Sequence, residues 1–338
     1  RRKRRVGHQS MSRHSARAAR KASPVSSKLN RLAKQFHVEY EDEDYGEYEH
    51  EDLANGFHAA LHALSESPTF TDMMREVGRK PFKVIFDDTM EEYGAIEPDE
   101  RVIYLSSHAK PEQLISTLAH EIRHAYQYAT IMGTDRVDRL KRRDFTVWNM
   151  LLEADAASSE AQVLAEIQHT EIGPGAREAA KELPYYRTVH TAFERAVERD
   201  PASLKDGTAQ LAAFKRYFRT NLVSIYKEGF AEYYKELRDE GIPADRNIPN
   251  TAAKQLGWHH SGGNYLDKDR VLSKRTGESL RRNPIFFGGK KRKPGRNQRL
   301  VDPRRMALLM RNENDNPIPA FARPIRPKGH EGRSLRPF

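Results

Sequence analysis

Charge in this chain is sorted by position, and that sorting decides where a fold can form. Residues 1–35 hold 12 Lys and Arg with no Asp or Glu. Residues 268–338 hold 20 Lys and Arg against 6 Asp and Glu. Because the whole chain carries +10, the middle, residues 36–267, carries −16. Segments so one-sided in charge self-repel and bury too little apolar surface to offset the entropy of ordering. The chain is only 37% hydrophobic against 31% charged, so the core must be concentrated between the two basic ends. This reading gives a basic arm and acidic linker of low order over residues 1–51, a globular domain over 52–267, and a basic, Pro/Arg-rich extension over 268–338. Arms of this kind attach to polyanions, because each neutralised phosphate releases counterions. Nucleic acid or another polyanion is therefore the partner expected for residues 1–35 and 268–338.

Within the middle segment the hydrophobic spacing favours strands first and helices after. Leu53, Phe57, Leu61 and Leu64 recur at helical spacing and stop at Pro68. Residues 82–86 read as a strand, and 93–96 with 101–105 as a hairpin about Glu97-Pro98-Asp99-Glu100. Pro111 opens a helix through Leu114, Leu118, Ile122 and Ala125, and further helices follow over 145–167, 185–197 and 208–237. That order is an α+β signature. No apolar run approaches the ~20 residues of a membrane span, so no membrane partner is expected. In the C-terminal extension, residues 288–296 read as a flexible basic segment, residues 306–310 as an apolar docking helix and 317–327 as an extended Pro-rich tail.

The chemistry lies in Ala119-His120-Glu121-Ile122-Arg123-His124-Ala125-Tyr126-Gln127. Residues four apart share a helix face, so both imidazoles can reach one cation. Zinc takes His nitrogens in a tetrahedral site and keeps a position for water when the site is catalytic. Glu121, beside the first histidine, is placed to take a proton from that water. The chain has no cysteine, so thiolate ligands and disulfides are excluded and any metal must be held by His, Asp or Glu.

This segment, followed by Glu153-Ala154-Asp155-Ala156, resembles the zincin metallopeptidases, and specifically a bacterial and phage family of uncharacterised metallopeptidases, over about residues 80–240. With the order of elements and the charged ends, the expected fold is α+β: a small antiparallel sheet packed on a mainly helical zincin-like domain, with the HExxH helix in the active site and extended basic arms that the resemblance does not cover. The resemblance implies a zinc ion with three protein ligands and hydrolysis of a protein or peptide substrate, while the basic N-terminus without an apolar stretch behind it and the charged arms lead to the expectation of the bacterial cytoplasm or a virion as the location.

Two histidines leave the site incomplete. No third histidine follows His124 closely, so a gluzincin-like carboxylate is the candidate. Glu153 lies in the apolar run Trp148-Asn149-Met150-Leu151-Leu152, where an acid is costly unless paired or ligating. The expected metal set is thus His120, His124 and Glu153, with Glu121 as the catalytic base. The pattern departs from many gluzincins, in which a second acid or amide stands four residues after the ligand; here that position is Ala157. Asp155 is left to orient a histidine from another direction. Glu228, in Glu228-Gly229-Phe230-Ala231-Glu232, is the rival third ligand.

Other candidates are Tyr126 beside the site and the loop from Trp258 to Gly263, whose His259 or His260 could cover the site and stabilise an oxyanion. His58 and His62 also lie four apart but lack a following Glu and read as surface residues. Strand 101–105 is the expected seat of an extended substrate. The alternative function is a nucleic-acid-associated or virion structural protein that retains a peptidase-like fold and is anchored by its arms.

Overall fold

The computed structural model describes residues 24–40, 47–78, 80–90, 93–182, 184–249 and 255–269. The readings made for residues 1–23 and 270–338, among them the docking helix at 306–310, lie outside this range.

The sheet has four strands in the order β1 (Phe36–Tyr40), β2 (Phe82–Asp87), β4 (Val102–Ser106), β3 (Gly94–Glu97). It is mixed rather than antiparallel. β1 and β4 both run parallel to β2, and only the β3–β4 hairpin is antiparallel. The parallel β1–β2 pairing needs a long crossover, which α2 (Glu47–Leu64) and α3 (Pro68–Glu76) supply. Pro68 ends one helix and begins the next. It occupies the first turn of α3, where its missing N–H is harmless, and Ser67 caps that turn by accepting from the Phe70 N–H at 3.0 Å.

Structure begins earlier than the expected start at residue 52. α1 (Pro24–Ala33) buries Leu29 and Leu32, and Phe36 stacks on Phe82 at 6.2 Å and meets Phe57 edge-on at 5.7 Å. A few apolar positions are enough to seat this segment. The net charge of the region conceals them.

The hairpin strand at 101–105 cannot seat a substrate, because β4 is paired on both edges. The sheet ends in β3, which lies against the motif helix α4 (Pro111–Thr130). The approach is close enough to require glycine: a Cβ at Gly94 would stand 2.4 Å from Thr117 Cγ2 and 3.0 Å from the Tyr104 carbonyl.

Two cores flank the site. One joins the sheet to α2, α3 and α4, and the other joins α6 (Arg142–Glu166) to α8 (Pro184–Arg199), α10 (Thr208–Tyr217) and α11 (Leu222–Asp239). The single helix expected over 208–237 is broken near Thr220 into the last two. α6 is buried all round from Val147 to Leu164, the pattern of a central helix, and it carries Glu153, Asp155 and Glu160 into the interior. α4 crosses against it. The site lies where these two helices meet.

Candidate metal centre

His120 and His124 lie one turn apart on α4 with their Nε2 atoms 3.2 Å apart. From α6, Glu153 reaches both nitrogens with its two carboxylate oxygens, Oε2 at 3.5 Å from His120 Nε2 and Oε1 at 3.5 Å from His124 Nε2. All three residues are buried. Zinc bonds of roughly 2.0–2.2 Å in a tetrahedral site set donor atoms roughly 3.3–3.5 Å apart, the spacing found here. Glu153 Oε2 is buried with no hydrogen-bond partner, as is Glu121 Oε2. The donor set and these two orphaned oxygens fit a metal ion.

Each imidazole is held at its other nitrogen. His120 Nδ1 lies 3.2 Å from Glu160 Oε2, and His124 Nδ1 lies 2.9 Å from Gln127 Oε1. Glu160 also accepts from Ser116 Oγ and approaches His190 Nε2 at 3.3 Å. Glu160 is the carboxylate that the sequence reading missed. It follows Glu153 by seven residues, two turns on the same helix face, so the heptad spacing carries its signal. His190 comes from α8 and leaves no local signal in the sequence.

The electrostatics follow from burying acids beside histidines. Burial alone would raise the Glu153 carboxyl, but His124 and His120 hold it down at about 2. Glu160 is likewise held at about 2, by His120 and His190 against its own burial. His120 is depressed by burial, yet the two carboxylates win and lift it well above its ordinary value. Glu121 stands differently. Burial raises it, with Glu153 and Glu160 adding to the effect and the two histidines opposing it. Neighbouring acids are thus driven apart in basicity by their surroundings, as catalytic acid and base assignments require.

Glu121 lines a cleft bounded by Tyr93 and Gly94 at the start of the edge strand, Ser116 and Thr117 on α4, Ala179 and Ala180 on α7 (Gly173–Glu182), and Tyr186 on α8. The Tyr186 ring meets His120 edge-on at 6.1 Å, and its hydroxyl lies 3.1 Å from that of Tyr226.

The remaining candidates fall elsewhere. Glu228 is exposed on α11, outside the His–His–Glu group. Tyr126 stacks on Trp258 at 5.2 Å, away from the cleft lining. The histidine loop does not cover the site. His260 Nδ1 contacts Thr69 Oγ1 at 3.0 Å and His259 Nδ1 contacts Ser261 Oγ at 2.7 Å, because the loop is drawn to α3 and to the Lys205 carbonyl. His58 and His62 are exposed on α2, as expected. Asp155 does reach a histidine from another direction, through Gln127.

No helix among the described residues is long and apolar enough to cross a membrane. No curated protein and no solved structure matches the chain. One family does, over residues 37–266, a span wider than the resemblance at 80–240 and one that takes in the four-stranded sheet except Phe36, with α4 and α6. The chain belongs to that family, described as "Putative metallopeptidase family (DUF6782)".

Proposed function

We propose that this protein is a zinc-dependent peptidase in which His120, His124 and Glu153 hold the metal and Glu121 is the general base. The observation that carries the reading is the convergence of three buried donors beside a buried Glu121 oxygen that has no partner and faces an open cleft. Zinc is favoured over other metals by the mixed His/Glu donor set. When bound, it would polarise the scissile carbonyl and lower the pKa of a water molecule.

The residues of the chain supply the rest. Glu121, made more basic by burial, takes the proton of the attacking water and then delivers it to the departing amine. Glu160 and Gln127 fix the two imidazoles, so their Nε2 lone pairs point to one place. An extended peptide enters beside Tyr93 and Gly94, where the sheet ends.

The test is Glu121→Gln. That variant should keep its zinc and lose cleavage of a casein or peptide-library substrate by about 10²–10⁴-fold. Cleavage at the wild-type rate by zinc-loaded Glu121→Gln would rule the mechanism out.

The charge of the arms favours a second role beside this one. Residues 1–35 and 268–338 would tether the peptidase to nucleic acid. Binding of the full chain to duplex DNA should weaken steeply with salt and vanish when residues 1–23 and 270–338 are removed, a cut that spares α1 and the turn at Tyr265–Lys268. Equal binding by the truncated chain would exclude the tether.

A further inference from the structure

We propose that Gln127 is a positioning residue which, clamped by Asp155 together with Arg123 and Tyr265, fixes the tautomer and orientation of His124. The proposal deepens the metal-centre reading and rests on it for the consequence drawn for zinc.

The argument starts from the amide. Gln127 Nε2 donates to Asp155 Oδ2 at 2.7 Å and to the Leu152 carbonyl at 3.0 Å. Both partners are acceptors only, so the nitrogen must face them and Oε1 must face His124 Nδ1, 2.9 Å away. An amide oxygen accepts and cannot donate. His124 Nδ1 therefore carries the hydrogen, and the lone pair is left on Nε2, on the side of His120 and Glu153. The neutral histidine has no other tautomer that satisfies this network.

Asp155 is itself immobilised. It is fully buried and accepts from Arg123 Nε at 2.7 Å, Arg123 Nη2 at 3.0 Å and Tyr265 Oη at 2.7 Å, besides Gln127. Arg123, equally buried, neutralises it and also donates to the Trp258 carbonyl at 3.2 Å. Arg123 is one of the three residues between the histidines of the motif, so the motif carries its own counter-ion for this clamp. Tyr265 arrives from the far end of the described chain. Gly207, with φ +79°, lets it settle, since a Cβ there would stand 2.7 Å from Tyr265 Cβ. The C-terminal segment is thus wired to the metal centre through three side chains.

The two imidazoles are therefore held differently. His120 faces a carboxylate, and His124 faces a neutral amide. An acid at position 127 would stand against Asp155 and add charge to a site already holding Glu121, Glu153 and Glu160. The amide passes on the anchoring of Asp155 without its charge.

The experiment uses the full chain and the variants Gln127→Met and Gln127→Glu. Long-range ¹⁵N–¹H spectra of the metal-free proteins, at a pH where imidazoles are neutral, report the His124 tautomer, and competition with a chelator reports zinc affinity. Wild type should show Nδ1–H. Gln127→Met, whose thioether accepts only weakly and donates nothing to Asp155, should lose that preference and bind zinc about 10–100-fold more weakly. Gln127→Glu keeps an oxygen toward the ring and should retain Nδ1–H, but at a cost in stability, because its second oxygen faces Asp155 and the Leu152 carbonyl. An unchanged tautomer and unchanged zinc affinity in folded Gln127→Met would overturn the proposal. If Met at 127 prevents folding, an Nε2–H tautomer in the wild type overturns it alone. A wild-type chain with the Nδ1–H tautomer that takes up no zinc upholds the clamp and contradicts the metal centre, so the two failures are distinct.

Discussion

Glu160 stands two helical turns beyond Glu153 on α6, and the two carboxylates face opposite nitrogens of one imidazole. Glu153 Oε2 is 3.5 Å from His120 Nε2, and Glu160 Oε2 is 3.2 Å from its Nδ1. One donor of the candidate site and the residue that orients its neighbour thus come from one rigid, buried helix. Their spacing is set by the helical repeat rather than by a loop.

From this follows the effect of Glu160→Gln. The variant keeps the size of the side chain but removes the charge that would make His120 a stronger ligand in the proposed centre. Zinc affinity should fall about 10–100-fold with the fold intact. A chelator competition titration beside circular dichroism checks it.

The metal-free protein should have a pH window of greatest stability. Glu153 and Glu160 are held at about 2 against an ordinary value of 4.5. Their contribution is fully present above pH 4.5 and is lost as pH falls toward 2. His120 is raised above its ordinary 6.5, so its contribution is present below 6.5 and is lost as pH rises through the raised value. The opposed signs put the best stability of the zinc-free domain between about pH 4.5 and 6.5. Urea melts across pH measure it. Zinc should reverse the alkaline arm, because the metal takes the place of the His120 proton and binds more tightly as pH rises.

Arg123→Ala removes one member of a fully buried ion pair and leaves Asp155 uncompensated. It should destabilise the protein by about 3–5 kcal/mol. Arg139→Ala, which breaks a solvent-exposed pair with Asp245, should leave stability nearly unchanged. Parallel denaturant unfolding of the two variants separates these cases.

At Gly94, any side chain must displace Thr117 of the motif helix or the backbone of β4. Gly94→Val should therefore destabilise the domain by about 1–3 kcal/mol and lower peptidase activity, because the cleft loses its sheet-side wall. Thermal melts and cleavage rates test both.

Much of the site was legible because its rules are local. The turn spacing of His120 and His124, and the improbability of Glu153 in an apolar run, are visible in the residues themselves. The helices from Pro111 and over 145–167, and the 93–105 hairpin, followed from periodicity and turn residues. What was not legible depends on which elements become neighbours. The parallel pairing of β1 with β2 joins segments more than forty residues apart and leaves no mark on either strand, so the sheet was expected to be antiparallel. Reading residues 1–35 by their charge and the stretch up to 51 as an acidic linker hid Leu29, Leu32 and Phe36, which seat α1 and β1. The same holds for His190 and Tyr265, which reach the site's surroundings from distant helices and turns. Gln127 was in plain view within the motif segment, but its role exists only once Asp155 stands opposite.

The most direct measurement is zinc per chain in purified wild type, His120→Ala, Glu153→Ala and Glu228→Ala. Wild type and Glu228→Ala should each carry about one zinc, and the His120 and Glu153 variants should carry none. Zinc retained by Glu153→Ala, or no zinc in the wild type after incubation with excess metal, would contradict the His120–His124–Glu153 centre.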